Sequence, residues 1–418
     1  MSGPAPPGPD PGRTLAVRGP FRGVTGHDHH TREFVRHLAA QGVRITLTDI
    51  PQWHPVKLPP ETRDPWFDQL EAPARTSTLS PASPLSPASP LSTLSPASTL
   101  SPASTLSPAS TVLHFCMPHQ VTQDPGRLTV NYTMFEASPV PAGWAGRSDL
   151  VVVPTESSRQ AWLAAGHPPD QLVTCPLGVD VDRFRPGREP LPLTAPDGRP
   201  VAGYRVRVLN VSEPRPRKNL AGLLRTWITA TSAGDDAILI VKLGPSPRPA
   251  QAALFAQLAR LQPALGQAAP VLFTDRLLPA ADMPGLYAAA THYWSMSHGE
   301  GWDQPMTEAA AAGLRLIAPR HSAYECYLDD DVARLIPSRL VPADASADPG
   351  TAALFAGTRW WSPDEDAAAQ AVRDALDGRD QPKASARDRM AAGFTWTHAA
   401  ARLIEVLDGL HQRHGRRF

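Results

Sequence analysis

The chain has 418 residues, which is enough for two domains that each bury a full core. Lys plus Arg and Asp plus Glu both number 40, and a net charge near zero argues against a general nucleic-acid-binding protein, which would usually be basic. No apolar run of about 18 residues occurs, so the sequence predicts no membrane span. The three cysteines lack metal-ligand spacing and are typical of reduced thiols in the cytoplasm.

The N-terminal region begins with a proline-rich stretch, residues 1–14, which we expect to be a disordered tail. A short strand from Leu15 to Val17 then leads through a glycine-containing loop to a helix predicted from about Thr31 to Gln41. The loop does not spell GxGxxG, so its dinucleotide-binding signal is weak. Gly23 and Gly26 are either turn residues or backbone contacts to a ligand, and the sequence leaves both readings open.

A histidine-rich cluster follows these glycines, with His27, Asp28, His29 and His30 in consecutive positions. Consecutive side chains cannot all surround one ion without a further ligand from elsewhere in the fold. We therefore expect no metal site here, and we expect the histidines to be solvated in a loop beside the cleft.

Residues 77–110 form a low-complexity tract in which LSPAS occurs five times. Such a composition cannot bury a core, and its prolines favour extended, solvated backbone. The tract is predicted to be a flexible insertion without chemistry of its own.

Two polar residues follow predicted strands of the N-terminal half. His119 comes after the strand Thr111 to Met117, and Glu136 after the strand Leu128 to Phe135. Ligands of open α/β sheets gather at the carboxyl ends of the strands. His119 therefore either faces a cleft or is a solvated loop residue.

The second half alternates strands and helices again, which predicts a second doubly wound parallel sheet facing the first across a cleft. Arg217, Lys218 and Asn219 stand at the predicted start of its first helix. The helix dipole disfavours cations at that end, so this local conflict indicates a site for an anion such as a diphosphate. The alternative is a solvated basic loop.

The most informative stretch is SHGEGWDQPMTE, which lies between a strand and an alanine-rich helix. Glu300 is bracketed by Gly299 and Gly301, and seven residues separate it from Glu308. Pro305 fits the first turn of a helix, whose free N–H groups suit a diphosphate. Carboxylates accept hydrogen bonds from sugar hydroxyls, so the stretch predicts a nucleotide-sugar site. The alternative is an ordinary helix start with acidic residues that complement the dipole.

The phrase EGWDQPMTEAAAAGLRLIAP resembles the E-x7-E signature of the family 4 retaining glycosyltransferases, which have the GT-B fold. TMFEASPVPAGW, CPLGVDVDRFRP and EPRPRKNLAGLL resemble further blocks of the same family. The resemblance covers roughly residues 15–410 apart from the low-complexity tract. One departure is Asp303, where many members carry a small residue.

The resemblance implies two Rossmann-like doubly wound domains that face each other across a cleft. The acceptor-side domain would span 15–182 and the donor-binding domain 203–385, with a linker at 183–202 between them. Residues 386–418 would form C-terminal helices that brace the N-terminal domain. The implied activity is transfer of a sugar, with retention, from a nucleotide-sugar to a glycan, lipid or small-molecule acceptor, without a metal or other cofactor.

The resemblance also implies roles for individual residues. Arg217 and Lys218 would neutralise the diphosphate, although Arg215 is an open alternative for the arginine. Glu300 would hold the transferred sugar and Glu308 the ribose. Further donor-binding residues would be Gly299, Gly301, Trp302 and Asn219, and acceptor-side residues would be Gly23, Gly26, His119 and Glu136.

Other functions remain open at this point. The same fold could serve a nucleotide-sugar epimerase, a glycan phosphorylase or a non-catalytic sugar-nucleotide-binding scaffold. The presence of Glu300, Glu308 and Lys218 argues against the scaffold. We expect a cytoplasmic protein, and the basic C-terminal tail leaves peripheral membrane contact open.

Overall fold

The computed structural model describes residues 13–71, 110–245 and 248–415. The predicted N-terminal tail, except for its last two residues, and the predicted insertion at 77–110, except for Ser110, lie outside the described residues. The described chain forms two six-stranded sheets with flanking helices and one two-stranded ribbon.

The first sheet is wholly parallel, with strand order β2-β1-β3-β4-β5-β6. Three of its four interior strands are buried at every residue, as expected for parallel strands covered on both faces. Its strands and helices are β1 Thr14–Arg18, α1 Gly26–Ala40, β2 Arg44–Thr48, α2 Trp66–Leu70, β3 Thr111–Phe115, β4 Leu128–Tyr132, β5 Leu150–Val153, α3 Glu156–Leu163 and β6 Leu172–Thr174.

The second sheet is also wholly parallel, with strand order β12-β11-β10-β7-β8-β9. Its elements are β7 Val206–Ser212, α4 Leu220–Ala230, β8 Ala237–Leu243, α5 Arg248–Leu265, β9 Val271–Thr274, α6 Met283–Ala288, β10 His292–Trp294, α7 Gln304–Ala311, β11 Arg315–Pro319, α8 Tyr324–Tyr327 and β12 Arg334–Ile336. The remaining elements are the antiparallel ribbon β13 Ser338–Pro342 with β14 Arg359–Pro363, and the helices α9 Ala352–Phe355, α10 Glu365–Leu376, α11 Ala386–Gly393 and α12 Trp396–Arg413.

The ribbon packs against the N-terminal domain. Ser138 and Arg359 exchange two backbone hydrogen bonds, of 2.9 and 2.8 Å. Phe135 stacks on Phe355 with ring centroids 5.2 Å apart, inside an apolar cluster that draws residues from both domains. The two domains are therefore in direct contact beside the loops that carry the predicted site.

The last helix, α12, returns to the N-terminal domain and packs against α1. Trp396 meets Phe34 edge to face at 5.5 Å, and the ring nitrogen Nε2 of His411 lies 2.7 Å from the hydroxyl of Thr111. The chain passes between the domains twice, once near Val179 and again just before α12. The Val179 amide donates a 2.8 Å hydrogen bond to the carbonyl of Phe394, so the two connections run side by side.

Two sequence predictions are wrong in detail. Helix α1 begins at Gly26 rather than near Thr31, because Thr25 and Asp28 form a capping box. The histidines therefore lie in the first turns of a helix and are at least partly buried, rather than solvated in a loop. Trp360 and Trp361 belong to β14, where large aromatic residues are common.

The described part of the chain contains no helix that is both long and apolar enough to cross a bilayer.

We predict that Gly178→Ala destabilises the protein. A Cβ atom at Gly178 would lie 2.3 Å from the backbone nitrogen of Trp396, so α12 would have to shift. Overpacking of this kind lowers the free energy of unfolding by about 1–3 kcal/mol. Calorimetry should show a lower melting temperature for this variant. Gly393→Ala is the control, because its Cβ would meet nothing within 4 Å; equal effects of the two changes would contradict the prediction.

Candidate functional site

The loop between β10 and α7 carries most of the predicted site. Pro305 occupies the second position of α7, where a missing N–H is tolerated. Gly313, with φ +81°, follows the helix in the left-handed conformation typical of a helix end. The local order of strand, loop, short helix and strand is therefore confirmed.

A cluster of ionised side chains lies at the centre of this region. Glu300 Oε1 is 2.5 Å from Lys218 Nζ, and its Oε2 is 2.9 Å from a guanidinium nitrogen of Arg217. Another guanidinium nitrogen of Arg217 is 3.4 Å from Glu136 Oε1, which belongs to the N-terminal domain. The cluster thus joins both domains and brings together four residues that the sequence singled out.

Burial makes these interactions strong, since the Glu300 side chain is 4% exposed. Burial alone would raise the pKa of Glu300, but Lys218 and then Arg217 outweigh it and lower that pKa. Burial would lower the pKa of Arg217, but the carboxylates, led by Glu136, raise it. Glu300 and Arg217 are therefore both charged at neutral pH.

Backbone contacts fix the turn that carries the two cations. The carbonyl of Arg217 accepts hydrogen bonds from the His298 amide at 2.7 Å and from the Ser297 hydroxyl at 3.0 Å. The Glu300 amide in turn donates to the Ser322 hydroxyl at 3.3 Å. The cations and Glu300 are thus held on two loops that are bonded to each other.

The sequence left open whether Arg215 or Arg217 serves this site, and the geometry distinguishes them. Arg215 pairs with Asp348 at 2.5 Å and with Glu213 at 3.4 Å. Arg217 is the arginine that reaches Glu300.

The helix after the cations starts later than predicted, at Leu220 instead of Lys218. Lys218 ends a short 3₁₀ turn, and Asn219 follows with φ 49° as the helix cap, accepting a 3.1 Å hydrogen bond from Gly222 N–H. The cations therefore stand just before the helix rather than inside its first turn. The side-chain oxygen of Asn219 is already used by this cap.

Glu308 is buried in α7, where the hydroxyl of Tyr287 donates to it at 2.6 Å. Burial raises the pKa of Glu308 to about 7, and the charges on Asp303 and Glu33 act in the same direction. Glu33 belongs to α1 of the N-terminal domain, so Glu308 lies close to the boundary between the domains.

The two glycines beside Glu300 have a different neighbour from the one expected. A Cβ at Gly299 would lie 1.8 Å from the Glu136 carbonyl oxygen, and one at Gly301 would lie 2.6 Å from the Met134 Cβ. In this structure they allow close approach of the N-terminal domain, where the sequence suggested close approach of a ligand. Trp302 is buried with its ring 5.0 Å from that of Tyr327, so it packs in the core.

The other N-terminal candidates are less directly placed. Gly23 is buried against Asp28, whose carboxylate accepts a 2.6 Å hydrogen bond from the Gly23 amide, and a Cβ there would clash with that carboxylate. Gly26 is the exposed first residue of α1. His119 is exposed, with its ring 6.4 Å from that of Trp144, and the structure does not bring it into the ionised cluster.

Several residues of the site were not predicted. Burial lowers the pKa of His27 to about 4, and the charges of Asp28, Glu213 and Arg217 have smaller effects on that pKa. Tyr324 donates a 2.7 Å hydrogen bond to Asp303. His27 was visible in the histidine cluster, whereas Tyr324 has no local sequence signal. Among the described residues, no group of three or more His, Cys, Asp or Glu side chains is arranged to hold a metal ion.

No protein-family model matches the chain. A curated relative, the GDP-mannose-dependent alpha-(1-6)-phosphatidylinositol monomannoside mannosyltransferase of Mycolicibacterium smegmatis, is 30% identical over 230 residues. That match covers 51% of this chain and 57% of the relative, so it spans a little over half of the relative's length.

Solved structures match nearly the whole chain. Sucrose-phosphate synthase from Thermosynechococcus elongatus has a TM-score of 0.60 at 15% identity, over 96% of this chain and 100% of that one. HepE of Anabaena, solved with UDP and glucose, has a TM-score of 0.56 at 13% identity, over 95% and 100%. A glycosyltransferase from Rickettsia africae has a TM-score of 0.57 at 13% identity, over 96% and 99%. These structures and the two facing parallel sheets confirm the predicted GT-B fold.

We predict that Glu308→Gln changes the pH dependence of stability. A carboxyl group with a pKa raised from 4.5 to about 7 holds a proton that the unfolded chain releases. The stability from this group is therefore complete below about pH 4.5 and is lost as the pH rises through 7. Relative to wild type, the variant should gain stability from pH 5 to pH 8, by at most about 3 kcal/mol.

Thermal unfolding of both proteins across this pH range provides the measurement. Glu156→Gln, at an exposed side chain of α3, serves as the control and should follow wild type. A constant difference between Glu308→Gln and wild type at all pH values would show that the raised pKa is wrong.

Proposed function

We propose that this protein is a glycosyltransferase that transfers a sugar from a nucleotide-sugar to an acceptor hydroxyl, with retention at the anomeric carbon. The observation that carries the proposal is the buried pair of cations, Arg217 and Lys218, gathered around Glu300 where the two domains meet. The partial match to a mannosyltransferase and the GT-B fold support it.

The two cations suit the leaving group of such a reaction. The bond between the anomeric carbon and the diphosphate oxygen breaks, and its electron pair stays on the diphosphate. The acceptor oxygen forms the new bond to that carbon, and the hydroxyl proton leaves with the diphosphate. Preorganised cations in a buried site stabilise this developing negative charge without further reorganisation. Arg217 and Lys218 are assigned this role. When the diphosphate binds, part of their interaction with Glu300 is replaced by interaction with the phosphate oxygens.

The remaining contacts follow from position and chemistry. Glu300, freed in part by that exchange, accepts hydroxyls of the transferred sugar, and Glu308 accepts hydroxyls of the ribose. We assign further backbone contacts with the donor to the loop of Gly299, Gly301 and Trp302, to the turn at Asn219 and to the start of the eight-residue helix α7.

On the acceptor side we assign Glu136, which reaches Arg217 from the N-terminal domain, with Gly23, Gly26 and His119 as more remote members. The acceptor is a glycan, a lipid or a small molecule. GDP-mannose is the first donor to test, because the curated relative is described as dependent on it. A cytoplasmic location is consistent with three free cysteines, of which Cys116 and Cys175 are buried.

We predict that the protein binds nucleoside diphosphates and that Lys218→Ala weakens this binding at least about tenfold, because a charge-assisted hydrogen bond is lost. Calorimetry with GDP, UDP, GDP-mannose and UDP-glucose measures the affinities. The control is Lys383→Ala, which removes a lysine that is 74% exposed. Absence of binding by wild type to every nucleotide would overturn the proposed function, and equal affinities of wild type and Lys218→Ala would overturn the role of Lys218.

We also predict that transfer requires no divalent metal, since Arg217 and Lys218 neutralise the diphosphate themselves. Donor turnover, followed by release of the nucleoside diphosphate, should be unchanged after EDTA treatment. Loss of turnover that Mg²⁺ or Mn²⁺ restores would refute this part of the proposal.

A further inference from the structure

Asp303 occupies an unusual backbone position at the start of α7. Its φ of 61° lies in the left-handed region, which glycine adopts freely and an aspartate less readily. It is the N-terminal cap residue of the helix, yet its side chain makes no capping hydrogen bond. The backbone and the helix end therefore do not account for an aspartate here.

The Asp303 carboxylate is buried and only half satisfied. The side chain is 2% exposed, and Oδ2 accepts a 2.7 Å hydrogen bond from the Tyr324 hydroxyl, which lies 2.7 Å from the Ser295 hydroxyl. The other oxygen, Oδ1, is buried with no hydrogen-bond partner. Buried polar atoms normally have partners, so this oxygen calls for one.

Lys218 makes no hydrogen bond with Oδ1. Its Nζ lies 3.9 Å from Oδ1, beyond hydrogen-bond distance, and instead binds Glu300 at 2.5 Å. Oδ1 thus lies beside the cation that we assign to the diphosphate, and the transferred sugar is bonded directly to that diphosphate.

The position of Oδ1 restricts the chemistry of a group that could bind it. Burial raises the pKa of Asp303 to about 6, so its carboxyl group is mainly ionised at neutral pH. An ionised carboxylate accepts hydrogen bonds and donates none, so the partner must be a donor. A phosphate oxygen or a second carboxylate would be repelled at this distance in a buried site. A neutral sugar hydroxyl meets both conditions, whereas the acidic group of a uronic acid does not.

We propose that Asp303 accepts a hydrogen bond from a hydroxyl of the transferred sugar and thereby selects neutral sugars against acidic ones. This inference rests on the proposed function and adds a specificity-determining residue to it. Tyr324 and Ser295 position the carboxylate, and the fixed left-handed backbone directs Oδ1 to the donor.

Two substitutions test the proposal in complementary ways. Asp303→Asn keeps the shape and tolerates the left-handed conformation but removes the charge. Asp303→Gly removes the side chain, and glycine adopts the left-handed conformation freely. It therefore provides a folded variant even if the asparagine amide of Asp303→Asn disturbs the contact with Tyr324. Asp330→Asn, at an exposed turn, is the matched control.

The measurement is calorimetric affinity for a nucleoside diphosphate, its neutral hexose conjugate and its uronate conjugate, for example UDP, UDP-glucose and UDP-glucuronate. If wild type prefers guanosine nucleotides, GDP and GDP-mannose replace the first two probes. We expect both variants to bind the diphosphate within about twofold of wild type and the hexose conjugate about tenfold more weakly, as for loss of one hydrogen bond to a charged group. Asp303→Asn should also lose much of the preference for glucose over glucuronate.

Three results would overturn the inference. Unchanged affinity of both variants for the hexose conjugate would show that Asp303 does not contact the sugar. An equal loss for the diphosphate and its conjugate would show that Asp303 acts on Lys218 or on the loop. Failure of wild type to bind any of these nucleotides would overturn the proposed function and this inference together. The first two results, in which wild type does bind, would overturn this inference alone.

Discussion

The organising interaction of this molecule is the neutralisation of two buried cations by carboxylates from both domains. Arg217 and Lys218 stand on one short turn, and Glu300 binds both of them at hydrogen-bond distance. Glu136 contributes from the opposite domain. Breaking one member of a buried ionic group leaves the others uncompensated, so the loops that carry it must stay in register. The backbone bonds from Ser297 and His298 to the turn are consistent with that requirement.

Much of this arrangement was predictable from the sequence. The alternation of strands and helices gave both parallel sheets, because buried parallel strands are continuous apolar runs. The motif with Glu300 and Glu308 was recognisable because Gly299, Gly301 and Pro305 have conformational roles that leave a local signature. The basic turn was visible because the dipole of the helix that follows disfavours cations at its start. The structure partly relieves this repulsion, since the helix begins only at Leu220, after both cations.

The rest depends on tertiary placement that has no local signature. Tyr324 reaches Asp303, and Ser295 reaches the Tyr324 hydroxyl, only because α8 lies next to the residue that follows β10. Gly299 looked like a ligand-facing glycine, but its neighbour is the backbone of Glu136 on the other domain. The start of α1 was misplaced even though Thr25 and Asp28 spell a capping box, because the adjacent glycines read as a loop.

The paired crossing between the domains has a mechanical consequence. Val179 pairs with Thr395, and its amide donates a hydrogen bond to the carbonyl of the preceding residue, Phe394. The two connections between the domains thus form a short double-stranded link. Arg387 clamps its base by donating to the carbonyls of Val181 and Phe184. Such a pair resists stretching and shear more than bending. A pull that would separate the two domains therefore acts on both connections at once, because the hydrogen bond between Val179 and Phe394 joins them.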